Sequence, residues 1–287
     1  MQDFRKPFPA LTPAQRLHLE VYGYVIIEKT LSEERVAVLL DKIYEIETYF
    51  RKTGDYPYGL VANAHSKTDP NYFRIDNLPH IAECFFEYLT DPYLVGLAQE
   101  IVGTHVRLLQ SDAHIVRYPP EKMERQNYGF HGGWHAEFGR TTHGLYHCPF
   151  IKTLSNLTDL GEDDGGTAVI AGSHKLGGIE RHEIIEVALQ DPDNLIHHVV
   201  APAGSTLLFF ESLLHSGGIC TSGKERVFIL GGYWPSMFQP HQGYEPNEEF
   251  LKTIPEEYHP VLTGSRCFQL ENFTRELNAP AEKFPFD

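Results

Sequence analysis

At His105 the sequence changes texture, and that change limits the fold more than any other feature. Downstream it breaks into short apolar, β-prone runs at 106–110, 114–118, 151–157, 168–170, 197–200, 206–210 and 227–233. Turn-forming clusters separate them, as in Gly161-Glu-Asp-Asp-Gly-Gly166 and Thr221-Ser-Gly-Lys224. Upstream the texture is helical. Thr12-Pro13 is a cap followed by Pro at the first helical position, with a helix expected through Leu19 and a strand at 24–27. Ser32 caps a long helix whose Val36, Leu39, Leu40, Ile43, Ile46 and Phe50 recur at helical spacing until Gly54. Residues 54–79 read as an irregular loop, 80–90 as helix, and Asp91-Pro92 restarts a helix closed by Gly103. Helices first and many strands afterwards give an α+β chain with a closed or double-sheet β core. The division expected is one domain over 1–287: a helical flank at 1–104, a β core at 105–235, and a wrap or lid at 236–287.

A chain of 287 residues buries enough core to fold without disulfides or structural metals. Its four cysteines, Cys84, Cys148, Cys220 and Cys267, form no CxxC pair and read as reduced thiols. The formal net charge of −15 argues against a nucleic-acid groove or an anionic membrane surface. No apolar run approaches the ~18 residues that span a bilayer. The N-terminus lacks a signal-peptide core and the C-terminal FPFD is no targeting tripeptide, so a cytoplasmic enzyme is expected.

Chemistry concentrates in His131-Gly-Gly-Trp-His135-Ala-Glu137. In a strand, residues i and i+2 share a face, so His135 and Glu137 can aim at one point. With a second His from elsewhere they make the two-histidine, one-carboxylate triad of non-haem Fe(II) oxygenases. Two surface residues would also read His-x-Glu, so the ligand set needs a further residue. His215, at the far end of the apolar run 206–210, adds a second imidazole. Arg226 opens the next strand, where its planar fork suits a carboxylate.

These residues, with Asp164-Gly-Gly-Thr-Ala-Val-Ile-Ala-Gly-Ser-His174-Lys and Pro202-Ala-Gly-Ser-Thr-Leu-Leu-Phe-Phe, carry a family resemblance. The stretch 24–235 resembles the phytanoyl-CoA dioxygenase family of Fe(II)/2-oxoglutarate-dependent oxygenases. The resemblance implies a double-stranded β-helix (jelly roll, cupin-like) with flanking N-terminal helices. It implies iron held by His135, Glu137 and His215, 2-oxoglutarate seated by Arg226, and O2 as oxidant. Hydroxylation of a small organic molecule is the expected outcome, with desaturation and ring formation as family alternatives. Two departures stand out. Glu137 replaces the usual Asp, and it excludes halogenation, which needs a small residue there. Ser216-Gly217 replaces a common Gly-Ser, so Thr221 or Ser222 is expected to supply the displaced hydroxyl to the co-substrate.

Other residues are weighed against plain packing. Gln110 is a candidate for the co-substrate, and His131, Trp134, Arg74 and Arg117 for the substrate. A zinc pair at His143 and His147 is disfavoured because Gly139 and Gly144 break the helix it would need. His197 and His198 read as structural, His174 as turn-stabilising, and Phe209, Phe210, Phe228 and Tyr233 as barrel core. The rival functions are a peptide or protein side-chain hydroxylase and a non-catalytic metal-binding jelly roll. The expected partners are a small-molecule substrate and at most a second copy of the chain.

Overall fold

The computed structural model describes residues 11–55, 69–103, 105–132, 150–176, 180–239 and 245–264, with the backbone alone at 140–142 and 145–147. Helix α1 (Pro13–Tyr22) starts on a capping box, Thr12 with Gln15, and ends on Gly23 in the left-handed region. It runs one turn past the expected end because Gly23 is the first residue that can terminate it. Strand β1 (Tyr24–Ile27) follows. Helix α2 (Glu33–Thr53) has Ser32 Oγ accepting the Arg35 N–H, acids in its first turn, and Arg51 and Lys52 in its last, all in register with its dipole. Helices α3 (Glu83–Leu89) and α4 (Pro92–Val102) complete the flank.

Two antiparallel sheets form the core. The larger has the order β1-β9-β6-β11-β3-β2, with β2 Tyr72–Asp76, β3 Val106–Val116, β6 Ile151–Asn156, β9 Thr206–Phe210 and β11 Arg226–Pro235. The smaller is β10-β7-β8, with β7 Thr167–Ile170, β8 Ile196–His198 and β10 His215–Gly217. A further hairpin pairs β4 (Arg140–Thr142) with β5 (Leu145–His147). This is a jelly-roll core with helices on its outer face.

Alternation along the strands divides the larger sheet into two surfaces. Outward, Phe73, Ile75, Ala113, Ile115, Leu208, Val227 and Ile229 join Leu39, Ile43, Phe85 and Leu97 of the helices in one buried cluster. Inward, Tyr24, Leu154, Leu207, Phe209 and Phe228 pack with Val169, Val199 and Leu213. Inward positions of β3 and β2 carry a polar group: Gln110, Asp112, His114, Arg74 and Asp76.

Two expectations need correction. Residues 54–79 are not all loop, because 72–76 form edge strand β2 paired with β3; residues 56–68 lie outside the described set. The runs 106–110 and 114–118 are one strand: Ser111-Asp112 continues the ladder as Asp112 turns into the polar cluster, and the register shift opposite Gly232/Tyr233 bends it. Among residues after 235, Val261 and Leu262 are buried and Arg107 Nη2 donates to the Leu262 carbonyl at 3.0 Å, so the turn of helix at His259–Thr263 packs on the start of β3.

Candidate metal centre and co-substrate pocket

His215 begins β10, where its backbone exchanges hydrogen bonds of 2.9 and 2.8 Å with His131. Its ring is buried, edge-on to Phe209 at 5.0 Å and 4.4 Å from the His131 ring. Nδ1 donates to the Leu213 carbonyl at 2.8 Å, which fixes the tautomer and leaves the Nε2 lone pair as donor. Burial, reinforced by the positive Lys152 and by His131, holds this imidazole well below the usual histidine range. A neutral, oriented imidazole is what a metal site requires.

The Gly-Ser-His-Lys turn clasps the segment that delivers it. Ser173 Oγ accepts the Leu214 N–H at 2.9 Å, Ser212 Oγ donates to the His174 carbonyl at 3.3 Å, and Ile170 N donates to Leu214 O. His174 itself stacks on Phe210 at 5.2 Å with 2° between planes. At Gly23 (φ 86) a Cβ would fall 2.4 Å from His174 Nδ1, so the α1–β1 junction seats the ring only as glycine. His174 therefore supports the site from outside it.

Trp134, His135 and Glu137 lie outside the described residues, as do His143 and Gly139. Gly132, the last described residue before them, packs so closely on Leu213 that a Cβ would meet its carbonyl oxygen at 2.6 Å. Among the described residues there is no group of three His, Cys, Asp or Glu side chains able to hold a metal.

Arg226, only 3% exposed, points inward from the start of β11. Nη1 donates to Gly165 O at 3.2 Å, Nη2 to Thr167 Oγ1 at 2.8 Å, and the guanidinium lies 4.4 Å from the Phe228 ring centroid. Nε has no partner, and no carboxylate pairs with this cation among the described residues. Burial pushes its pKa down to about 10. A buried cation held by neutral groups alone is a site prepared for an anion.

The hydroxyl beside Arg226 is thus Thr167, not Thr221 or Ser222. Thr221 Oγ1 donates to Asp163 Oδ1 at 2.8 Å in an exposed turn, and Ser222 Oγ accepts the Lys224 N–H. The nearby Asp164 carboxyl is lowered to about 2 by hydrogen bonds from Lys224 and Ser222.

Gln110 and Arg74 meet on Asp112. Gln110 Nε2 donates to Asp112 Oδ2 at 2.8 Å, Arg74 Nη2 lies 3.2 Å from that oxygen, and His114 Nε2 approaches Oδ1 at 3.3 Å. Tyr72 hydroxyl lies 2.9 Å from His114 Nδ1, and His114 stacks on Phe228. Despite complete burial, hydrogen bonding from His114 and the Arg74 charge hold the Asp112 carboxyl below the usual range. Arg117 faces the other way. Its fork is taken by both oxygens of Glu47 at 2.7 and 2.8 Å, with Nε 2.6 Å from Glu225, on the helix side of the sheet. A substrate-contact role for Arg117 is therefore set aside. Lys152, which sequence reasoning passed over as one residue of an ordinary strand, lies in the interior with Nζ 2.7 Å from the buried Glu211.

The phytanoyl-CoA dioxygenase (PhyH) family model matches residues 19–228. The chain belongs to that family. It is an oxidoreductase of the non-haem iron, 2-oxoglutarate-dependent dioxygenase class. Among curated relatives it is 26% identical over 272 residues to the ectoine dioxygenase of Bordetella bronchiseptica, covering 85% of this chain and 83% of that one. Among solved structures it is similar to HygX from Streptomyces hygroscopicus with nickel, 2-oxoglutarate and hygromycin B bound (TM-score 0.61, 20% identity, 80% and 89% covered). EctD from S. alaskensis in its apoform is similar too (TM-score 0.64, 15% identity, 90% and 88% covered). Among the described residues no helix is long and apolar enough to cross a membrane.

Proposed function

We propose that this PhyH-family enzyme hydroxylates a C–H bond of a small, hydrogen-bonding organic molecule, with His135, Glu137 and His215 as iron ligands and Arg226 on the distal carboxylate of 2-oxoglutarate. The observation that carries the reading is Arg226: a buried guanidinium without a carboxylate partner among the described residues, on the interior face of the larger sheet, which the buried His215 ring of the smaller sheet meets at Phe209. With iron in place, O2 and 2-oxoglutarate are consumed together. One oxygen atom enters the substrate as C–OH, the other enters succinate, and CO2 leaves. Lys152, whose charge acts on His215, and its partner Glu211 put polar groups in the interior and favour a polar substrate. That preference agrees with the ectoine and hygromycin B named for the relatives. One oxygenase domain, with 236–287 as a wrap or lid, remains our reading of the chain's organisation.

The deciding measurement is anaerobic absorption spectroscopy of the apoprotein given Fe(II) and then 2-oxoglutarate. A metal-to-ligand charge-transfer band is expected. Iron bound at one equivalent with no band would sink the assignment of the co-substrate.

A further inference from the structure

Asn156 ends β6 directly opposite Phe228 of β11, and Leu154, two residues earlier, is in the interior cluster with Phe228. Alternation therefore turns the Asn156 side chain inward, onto the same surface as Arg226, which lies two residues from Phe228. Diagonal neighbours of this kind on adjacent strands stand about 7–8 Å apart, close enough to share one small ligand group. Asn156 is 0% exposed, and neither Oδ1 nor Nδ2 has a hydrogen-bond partner. A carboxamide is costly to bury with all its capacity unused, and chains rarely retain one without a partner to meet it. Two further donors without a partner border it: Arg226 Nε on the diagonal neighbour, and the hydroxyl of Ser205, whose carbonyl accepts the Asn156 N–H.

Resting on the co-substrate reading above, we infer that Asn156 is a second anchor for the distal carboxylate of 2-oxoglutarate. Its Nδ2–H donates to a carboxylate oxygen while Arg226 supplies the charge. The amide oxygen has a candidate donor in Arg226 Nε–H, so a seated carboxylate can leave both side chains matched. Asn156 thereby discriminates a five-carbon dicarboxylate from a keto acid of equal length that ends in a methyl group.

The test uses the Fe(II)-loaded protein under anaerobic conditions, titrated calorimetrically with 2-oxoglutarate and with 2-oxopentanoate, which keeps the chelating end and lacks the distal carboxylate. Asn156→Ala should weaken 2-oxoglutarate by about ten- to a hundredfold, the loss of one hydrogen bond to a charged group. Binding of 2-oxopentanoate should be unchanged. Stability without ligand should hold or rise, since the substitution removes an unmatched amide. Asn156→Asp preserves the shape and is read in parallel if the alanine variant fails to fold; its carboxylate should pair with Arg226 and compete with the co-substrate, giving an equal or larger loss. Unchanged 2-oxoglutarate affinity with lowered ligand-free stability would overturn the inference and make Asn156 a structural group. An equal loss for both keto acids would also overturn it. If the wild type binds iron but not 2-oxoglutarate, the co-substrate reading itself falls.

Discussion

His174 offers a measurable link between burial and stability. Its ring is 4% exposed, neither nitrogen has a hydrogen-bond partner, and burial, then the nearby Lys175 charge, lowers its pKa to about 4 against a weak opposing pull from the Glu20 backbone. The folded chain thus resists protonation that the unfolded chain accepts near 6.5. Between those values the unfolded state binds more protons, so stability rises with pH; the contribution is intact above about 6.5 and is lost as pH falls toward about 4. The difference between 6.5 and about 4 corresponds to about 3 kcal/mol in full, of which about 2 kcal/mol has gone by pH 5. Leucine has a similar volume and does not titrate. Urea unfolding in chelator should show wild type losing about 2 kcal/mol more than His174→Leu between pH 7 and pH 5. Other titrating groups are common to both proteins and cancel in the difference. Parallel stability profiles would mean that His174 is not held neutral by its burial.

Arg226→Leu should raise the dissociation constant of 2-oxoglutarate about a hundred- to a thousandfold and leave iron stoichiometry intact, because only the charged fork is removed. Equal loss of iron and co-substrate by calorimetry and metal analysis would contradict its role. His215→Ala should abolish iron binding, and retention of one equivalent would remove that residue from the ligand set. Asp112→Asn should cost about 3 kcal/mol in urea unfolding, since it leaves the charge of Arg74 partly uncompensated beside His114 and Gln110; a change under 1 kcal/mol would show that Asp76 suffices. At Gly166 a Cβ would lie 2.1 Å from the Val199 carbonyl oxygen. Gly166→Ala should therefore lower the melting temperature and weaken 2-oxoglutarate, because the adjoining Gly165 carbonyl holds Arg226.

Local signals in the sequence led to the helical flank. Thr12, Ser32, Asp91, Gly54 and Gly103 cap or close helices through short-range chemistry that a sequence displays directly. Arg226 and His215 were also legible, because each stands at the edge of an apolar run. Strand β2 was not. Its apolar Phe73 and Ile75 face the helices while Arg74 and Asp76 face the interior, so the buried side carries charge and the segment imitates a loop. Thr167 was hidden for a related reason: in Gly-Gly-Thr it looks like part of a turn, and only the packing of the two sheets brings it to Arg226. Thr221 and Ser222 were favoured by their nearness to His215 along the chain, a poor guide once Asp163 draws them into a surface turn. Asn156 gave no sign at all, since what singles it out is the lack of partners in three dimensions.

Strand β1 pairs with β9, and the hydroxyls of Thr30 and Thr206 meet at 2.6 Å across 176 residues of sequence. A ribosome adding roughly 5–20 residues per second leaves that partner unmade for about 10–35 s after β1 emerges. During the same interval Gly23 has no His174 to receive, and α2 has only part of the sheet it will cover. The nascent chain must therefore hold an apolar helix and an unpaired strand edge in waiting, a span in which chaperone capture competes with closure. Codon choice and growth temperature would then govern how much enzyme reaches its iron, quite apart from any residue of the pocket.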